Sequence, residues 1–600
     1  MYPSQDSLSR SHVFISIMRS FLATTLLGSL AAAAPQGPSH HGSHGWGDHD
    51  EGNGEGHWGG HHGNSDSDGN SYNGGSTVNV KNGTISGYYQ PTYDQEYFLG
   101  VPFAQPPVGD LRFRNPQSIN TTFDGTYEAT EYAPECVGYG GDQIGYPVSE
   151  DCLYLNVVRP AGYENESLPV GVWIHGGGLY MGGTRDERYN LSFIVDNSVQ
   201  MGKPIIGVSI AYRLSAWGFL ASEEVSGSGQ TNIGLRDQRL ALHWLNENIG
   251  AFGGDPDKVT IWGESAGAAS VGWHLTAYNG RDDGIFRAGI MESGNPVAYS
   301  SYKTNQQYQP AYDAIVNMTN CSTSIDTLQC LRNVPYEDLN AIFNTTQYQS
   351  FFNPIVDGDF IARWTSIQLA EGAFVHVPII DGANTDEGMS FGRPLPAQFG
   401  DQLPDAYPLE CDYFIPPEST LPCDFSAFPP SFGDAEQYRR QAAYFGDVVM
   451  IANRRGACEA WTREGVDAYS YRFDTTPNGV PYYLGVPHFQ EVAFVFDNVD
   501  GLGYDAEHGT VNPFANESSS YTQLAELMSK SWASFIYDLD PNGFKDRYDG
   551  ADAWPVYSLE KPQNIVWDGN ATGTLAYAED DTWRAEGIQF ILDHALAYGR

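Results

Sequence analysis

The stretch Val259-Thr260-Ile261-Trp262-Gly263-Glu264-Ser265-Ala266-Gly267 constrains this chain more than any other. The apolar run Val259 to Trp262 predicts a buried strand, and Gly263-Glu264-Ser265-Ala266-Gly267 fits G-x-S-x-G. Small residues follow, Ala268-Ala269-Ser270-Val271-Gly272, before Trp273-His274-Leu275 continue a helical pattern. Strand, tight turn and helix in that order make a nucleophile elbow. The turn forces the serine into a strained backbone and exposes its oxygen at the end of a sheet. The glycines leave room for the turn and for close strand–helix packing. G-x-S-x-G alone occurs by chance in many chains, so the flanks carry the weight here.

A serine nucleophile needs oxyanion donors, a base and an orienting acid. His175-Gly176-Gly177-Gly178 follows a predicted strand, Val170 to Ile174, and its glycines let backbone N–H groups face a ligand unobstructed. A further donor is the N–H of Ala266, the residue after the serine. Beyond residue 75 the histidines stand at 175, 243, 274, 376, 488, 508 and 594. His175 belongs to the glycine loop, and His243 and His274 sit within helical patterns. Of the late ones, His488 lies in Gly485-Val486-Pro487-His488-Phe489-Gln490-Glu491, a loop after a predicted strand, where active-site residues of such sheets gather. For the acid, a strand predicted over Val377 to Asp381 leads into Gly382-Ala383-Asn384-Thr385-Asp386-Glu387-Gly388. Asp386 and Glu387 are both candidates, and local sequence does not choose between them.

The 600 residues suffice for one large α/β domain with excursions. With 31 basic against 74 acidic residues the formal charge is −43, which argues against nucleic acid or an anionic membrane as partner. Residues 1–34 read as a secretory signal region: Arg19, then apolar Phe21 to Leu30, then Ala31-Ala32-Ala33-Ala34. That apolar run is too short for a comfortable membrane span, and no later segment offers a stable membrane anchor. Residues 35–75 are rich in Gly, His, Ser, Asp and Asn, and lack the apolar surface to offset ordering entropy; they read as a disordered spacer. Their histidines have no fixed metal-site spacing. The folded domain is expected over 76–600.

An extracellular location fits the seven cysteines, six of which fall in sequential pairs: Cys136/Cys152, Cys321/Cys330 and Cys411/Cys423, with Cys458 left over. Sequence alone does not fix their connectivity. Sequons such as Asn82-Gly83-Thr84, Asn190-Leu191-Ser192 and Asn516-Glu517-Ser518 point the same way. Further strands are predicted at Leu153–Val158, Pro204–Tyr212, Ala288–Met291 and Ala468–Phe473, and a helix over Gly234–Ile249. Phe98-Leu99-Gly100-Val101-Pro102 reads as too rich in Gly and Pro for regular structure, and 395–435 as an irregular insertion. Strands alternating with helices imply a mostly parallel sheet covered on both faces, an α/β fold.

The chain resembles the type-B carboxylesterase/lipase family, the cholinesterase-like α/β-hydrolases. The matching stretches include Phe98-Leu99-Gly100-Val101-Pro102-Phe103-Ala104, Glu150-Asp151-Cys152-Leu153-Tyr154-Leu155-Asn156, His175-Gly176-Gly177-Gly178, Asn232-Ile233-Gly234-Leu235-Arg236-Asp237-Gln238 and Gly263-Glu264-Ser265-Ala266-Gly267. The resemblance implies Ser265 as nucleophile, His488 as base and Glu387 as acid, with oxyanion donors at Gly177, Gly178 and Ala266. It also supports the pairs Cys136–Cys152 and Cys321–Cys330. The expected protein is a secreted serine esterase for small neutral esters, needing no metal or organic cofactor. The alternatives are a triglyceride lipase and, from another class, a non-catalytic binding protein; oligomeric state stays open.

Overall fold

A computed structural model describes residues 76–600 apart from 298–299, 392–403, 410, 415–425, 427, 433, 507, 546 and 571–572. The signal region 1–34, the spacer 35–75, most of the 395–435 insertion and the proposed Cys411–Cys423 pair therefore lie outside the described residues.

Eleven strands form the central sheet: β1 (Tyr88–Gln90), β2 (Gln95–Pro102), β3 (Tyr154–Pro160), β4 (Leu168–Ile174), β5 (Ile206–Ile210), β6 (Gly254–Glu264), β7 (Ala288–Glu292), β8 (Ile379–Asn384), β9 (Ala468–Phe473), β10 (Gln563–Trp567) and β11 (Ala576–Asp580). Their order is β11-β10-β9-β8-β7-β6-β4-β5-β3-β2-β1. Neighbours from β5 to β10 run parallel, and antiparallel strands close both edges. A small separate sheet joins Thr77–Val80, Gly83–Ser86 and Thr126–Glu128.

Parallel strands are buried on both faces, which explains their continuous apolar runs. β4, Leu-Pro-Val-Gly-Val-Trp-Ile, is buried at every position. Its side chains alternate between two cores. Val172 and Ile174 pack with Ile261 against helices α2 (Ile233–Asn248) and α3 (Ala266–Gly280), through residues such as Leu242, Leu245 and Val271. Trp173 packs with Trp262 on the opposite face, against α1 (Leu191–Gln200) and α6 (Ser519–Asp538), through Ile194, Val195 and Trp532. Helices α4 (Ala435–Gly446) and α5 (Ala452–Arg463) lie between β8 and β9 in the chain.

The segment around Gly100 departs from expectation. Phe98 to Pro102 belongs to β2, buried almost throughout. A register shift between Phe98 and Val101 absorbs the glycine, whose φ is +68° and where a Cβ would lie 2.6 Å from the Glu131 carbonyl oxygen. A bulge thus turns a local strand-breaker into part of the sheet. Disulfides join Cys136 to Cys152 and Cys321 to Cys330, and Cys458 is a buried free thiol. No helix among the described residues is long and apolar enough to cross a membrane.

Candidate active site

Ser265 stands between β6 and α3 with φ +56° and ψ −120°, a conformation L-residues rarely adopt. The turn is held from below: Ser265 N–H donates to the Glu292 carbonyl at 2.8 Å, and its own carbonyl accepts from Ala269 N–H at 2.9 Å. The two motif glycines are required by crowding. A Cβ at Gly263 would lie 2.6 Å from the Ile174 carbonyl oxygen, and one at Gly267 only 2.0 Å from that same atom. Strand β4 passes directly behind the elbow and leaves no room for a side chain.

His488 arrives on the loop after β9. Its Nε2 is 2.8 Å from Ser265 Oγ and its Nδ1 is 2.6 Å from Glu387 Oε2. With Nδ1 donating to the carboxylate, Nε2 is left to accept the serine proton. The other Glu387 oxygen accepts from Asn384 N–H at 2.7 Å, and Asn384 Nδ2 donates to the Pro487 carbonyl at 2.9 Å. One asparagine thus ties the acid's loop to the histidine's loop. Asp386 faces away: it pairs with Arg439 at 3.1 Å and accepts from Val486 N–H at 3.0 Å. Among the described residues, the other late-chain and helical histidines lie away from Ser265. His274 Nε2 meets Gln238, His376 meets the Gly372 carbonyl, His508 meets Asp505, His594 meets the Phe590 carbonyl, and His243 is exposed on α2.

A family model described as "Carboxylesterase family" matches residues 74–583. The chain belongs to the carboxylesterase family. It is 35% identical over 516 residues to "Secreted lipase 1" of Botryotinia fuckeliana (strain B05.10), spanning 77% of this chain and 84% of that protein. It is 30% identical over 527 residues to "Acetylcholinesterase" of Bungarus fasciatus, spanning 81% of this chain and 82% of that one. Among solved structures, Aspergillus niger EstA aligns with a TM-score of 0.71 at 28% identity, over 88% of this chain and 100% of its own. The architecture is the α/β-hydrolase fold of the cholinesterase-like, type-B carboxylesterases and lipases.

In this family member the glycine loop packs onto the elbow. A Cβ at Gly176 would sit 3.2 Å from Ser265 Cβ, and Gly177 and Gly178 turn with φ of +87° and +62°. His175 anchors the loop: it is buried, stacks on Tyr212 at 4.4 Å, and its carbonyl accepts from the Tyr212 hydroxyl at 2.8 Å. Burial pushes its imidazole down to about 4, so it is neutral at ordinary pH. Ala266 opens α3, where a backbone N–H has no acceptor one turn earlier in the helix.

Two buried carboxyls that sequence reading passed over complete the site. Glu264 Oε1 lies 3.2 Å from His488 Nε2. Glu491 accepts from Ser293 Oγ at 2.8 Å and from Asn384 Nδ2 at 2.6 Å. Burial, and then the surrounding carboxylates, raise Glu264 well above the usual carboxylate range; burial and then Glu387 raise Glu491. Both effects favour the neutral acids. Glu264 was visible in the elbow motif and Glu491 three residues after His488, but neither sequence position reveals that the side chain points into the site.

Proposed function

We propose that this protein is a secreted carboxylic ester hydrolase that works through an acyl-enzyme on dissolved, neutral esters. Ser265 attacks the ester carbonyl while His488 accepts its proton, and Glu387 holds the imidazole and stabilises its charged form. The N–H groups of Gly177, Gly178 and Ala266 stabilise the oxyanion. His488 then returns the proton to the leaving alcohol and activates the water that cleaves the acyl-enzyme. The reaction so written calls on no metal or organic cofactor. The distances from His488 to Ser265 and Glu387 support the mechanism.

The seat of the loop between Cys136 and Cys152 carries the substrate class. Tyr139 is buried, its N–H donates to the Tyr180 carbonyl at 2.6 Å, and its hydroxyl donates to Asn340 at 2.8 Å and accepts from Trp217 Nε1 at 2.9 Å. Gln143 Nε2 donates to the Gly182 carbonyl at 2.7 Å, next to the glycine loop. The loop is thus stitched down beside the glycine loop. It lacks the broad apolar face with which a lid opens onto oil, and it holds no tryptophan to receive a quaternary ammonium. Two observations favour the lipase reading: Ile144 and Val148 on this loop are 47% and 40% exposed, and the 35% identical relative from Botryotinia fuckeliana is named a secreted lipase.

Rate against concentration of a short-chain triglyceride, followed through its solubility limit, separates the two. Smooth saturation below the limit is expected. A sharp rise as droplets appear would overturn the esterase reading in favour of a lipase.

A further inference from the structure

Arg188 joins three pieces of chain that meet beside His488. It lies in the short turn Glu187–Tyr189, behind Asp186, and its side chain is 10% exposed. Its Nε donates to the two Asp186 oxygens at 3.0 and 2.9 Å. Its Nη2 reaches across to Asp142 Oδ1 at 2.6 Å, in the Gly141–Gln143 turn of the Cys136–Cys152 loop. The guanidinium carbon also lies 4.8 Å from the centroid of the Phe489 ring and 5.7 Å from that of Tyr189. The Tyr189 ring meets Phe489 edge-on at 6.2 Å and 73°. From a third side the loop at Gly503 closes in, where a Cβ would lie 2.8 Å from Arg188 N.

The residue under this guanidinium is unusual. Phe489 has φ +79°, in the left-handed region that a bulky side chain avoids. Such strain persists only where the surroundings over-determine it, and it concentrates where geometry matters for function. Phe489 directly follows His488, so relaxing its backbone would rotate the peptide that carries the imidazole away from Ser265. Charge balance alone does not require this arrangement, because Asp186, two residues away on the same turn, already pairs with Arg188. The second carboxylate and the ring contact are additional, and the ring contact depends on the flat guanidinium.

We propose that Arg188 is a positioning residue for the base: it clamps Phe489 in its left-handed backbone and, through Asp142, couples the setting of His488 to the seat of the Cys136–Cys152 loop. The proposal rests on the reading of His488 as the general base and adds to it how that base is held. Lysine keeps the charge for Asp186 and Asp142 but lacks the plate that covers the ring. Glycine at position 489 removes the ring and accepts the left-handed backbone freely.

The test is a double-mutant cycle on ester turnover. Arg188→Lys alone is expected to lower kcat about tenfold with little change in KM, a displacement effect on a reacting group. Made in Phe489→Gly protein, the same substitution is expected to lower kcat by less than about twofold, because no strained turn is left to hold. A purely structural role would lower the thermal midpoint in both backgrounds and produce no such difference in kcat. Equal kcat losses in the two backgrounds, or no loss in either, would overturn the proposal. Asp142→Asn, which leaves the Asp186 pair intact, repeats the comparison if Arg188→Lys does not fold; it too must lose its effect on kcat in Phe489→Gly protein. Unmutated protein without ester turnover, or Ser265→Ala protein that keeps it, would instead strike down the functional reading and the base assignment with it.

Discussion

Glu387 Oε2 meets His488 Nδ1 at 2.6 Å across 101 residues of chain, while Asp386, its neighbour in sequence, points the opposite way to Arg439. Glu387→Gln should therefore cost about 10⁴ in kcat, since an amide in place of the carboxylate selects the wrong tautomer. Asp386→Asn should leave most of the turnover and instead lower the thermal midpoint, because it weakens a buried ion pair. Steady-state kinetics beside thermal unfolding of both variants checks this. The reverse ranking in kcat would make Asp386 the acid.

Ser265→Ala should fold normally and retain only the catalysis of binding and oxyanion stabilisation, about 10³–10⁴ over water. Turnover of p-nitrophenyl esters, with circular dichroism as the folding control, measures it. Near-normal turnover in a clean preparation would remove Ser265 from the mechanism.

Glu135, beside the first disulfide, makes stability depend on pH. Burial raises its carboxyl from the ordinary 4.5 to about 8; Asp186 adds to the shift, and the Arg185 N–H and charge oppose it. The carboxyl is buried and packs directly on Gly183, where a Cβ would lie 2.2 Å from its carbon. The folded chain holds the proton longer than the unfolded chain. The stabilisation is complete below pH about 4.5 and is lost as pH rises to about 8, at roughly 1.4 kcal/mol per pH unit. Glu135→Gln removes this titration. Its thermal midpoint should exceed that of the unmutated protein at pH 8 by more than at pH 4, and a pH-independent difference would show that Glu135 is not the titrating group.

A chain beginning at Ser76 should keep its kcat. The Gly/His-rich tract before it lacks the apolar residues to join a core, and the first strand, Thr77–Val80, pairs within a hairpin to Gly83–Ser86. A large fall in kcat with folding intact would give the tract a role in the site.

The elbow was legible because its causes are local. A strand, a serine between glycines and a run of small residues encode the turn, and Gly263 and Gly267 are glycine because the β4 backbone passes within 2.6 Å and 2.0 Å of where their Cβ atoms would be. His488 stood out by its loop and its place in chain order. The buried strands showed in their apolar runs, although β2 did not. Its Gly100 and Pro102 read as breakers, and only pairing with β3, with the register shift at Gly100, makes a strand of them.

By itself, then, the sequence determined the α/β class, the elbow at Ser265, the loop that bears His488 and the short list of acids. Local sequence left Asp386 and Glu387 level and the family resemblance pointed to Glu387; the tertiary structure brings Glu387 to the imidazole and turns Asp386 away. Only the tertiary structure decided that Glu264 and Glu491 turn inward and that Arg188 spans from Asp142 to the ring of Phe489. The physical reason is range. A turn or a strand follows from neighbours along the chain, through backbone sterics and side-chain period. A hydrogen bond at 2.6 Å between residues 101 apart depends on how β8 and β9 register beside one another and where their loops emerge.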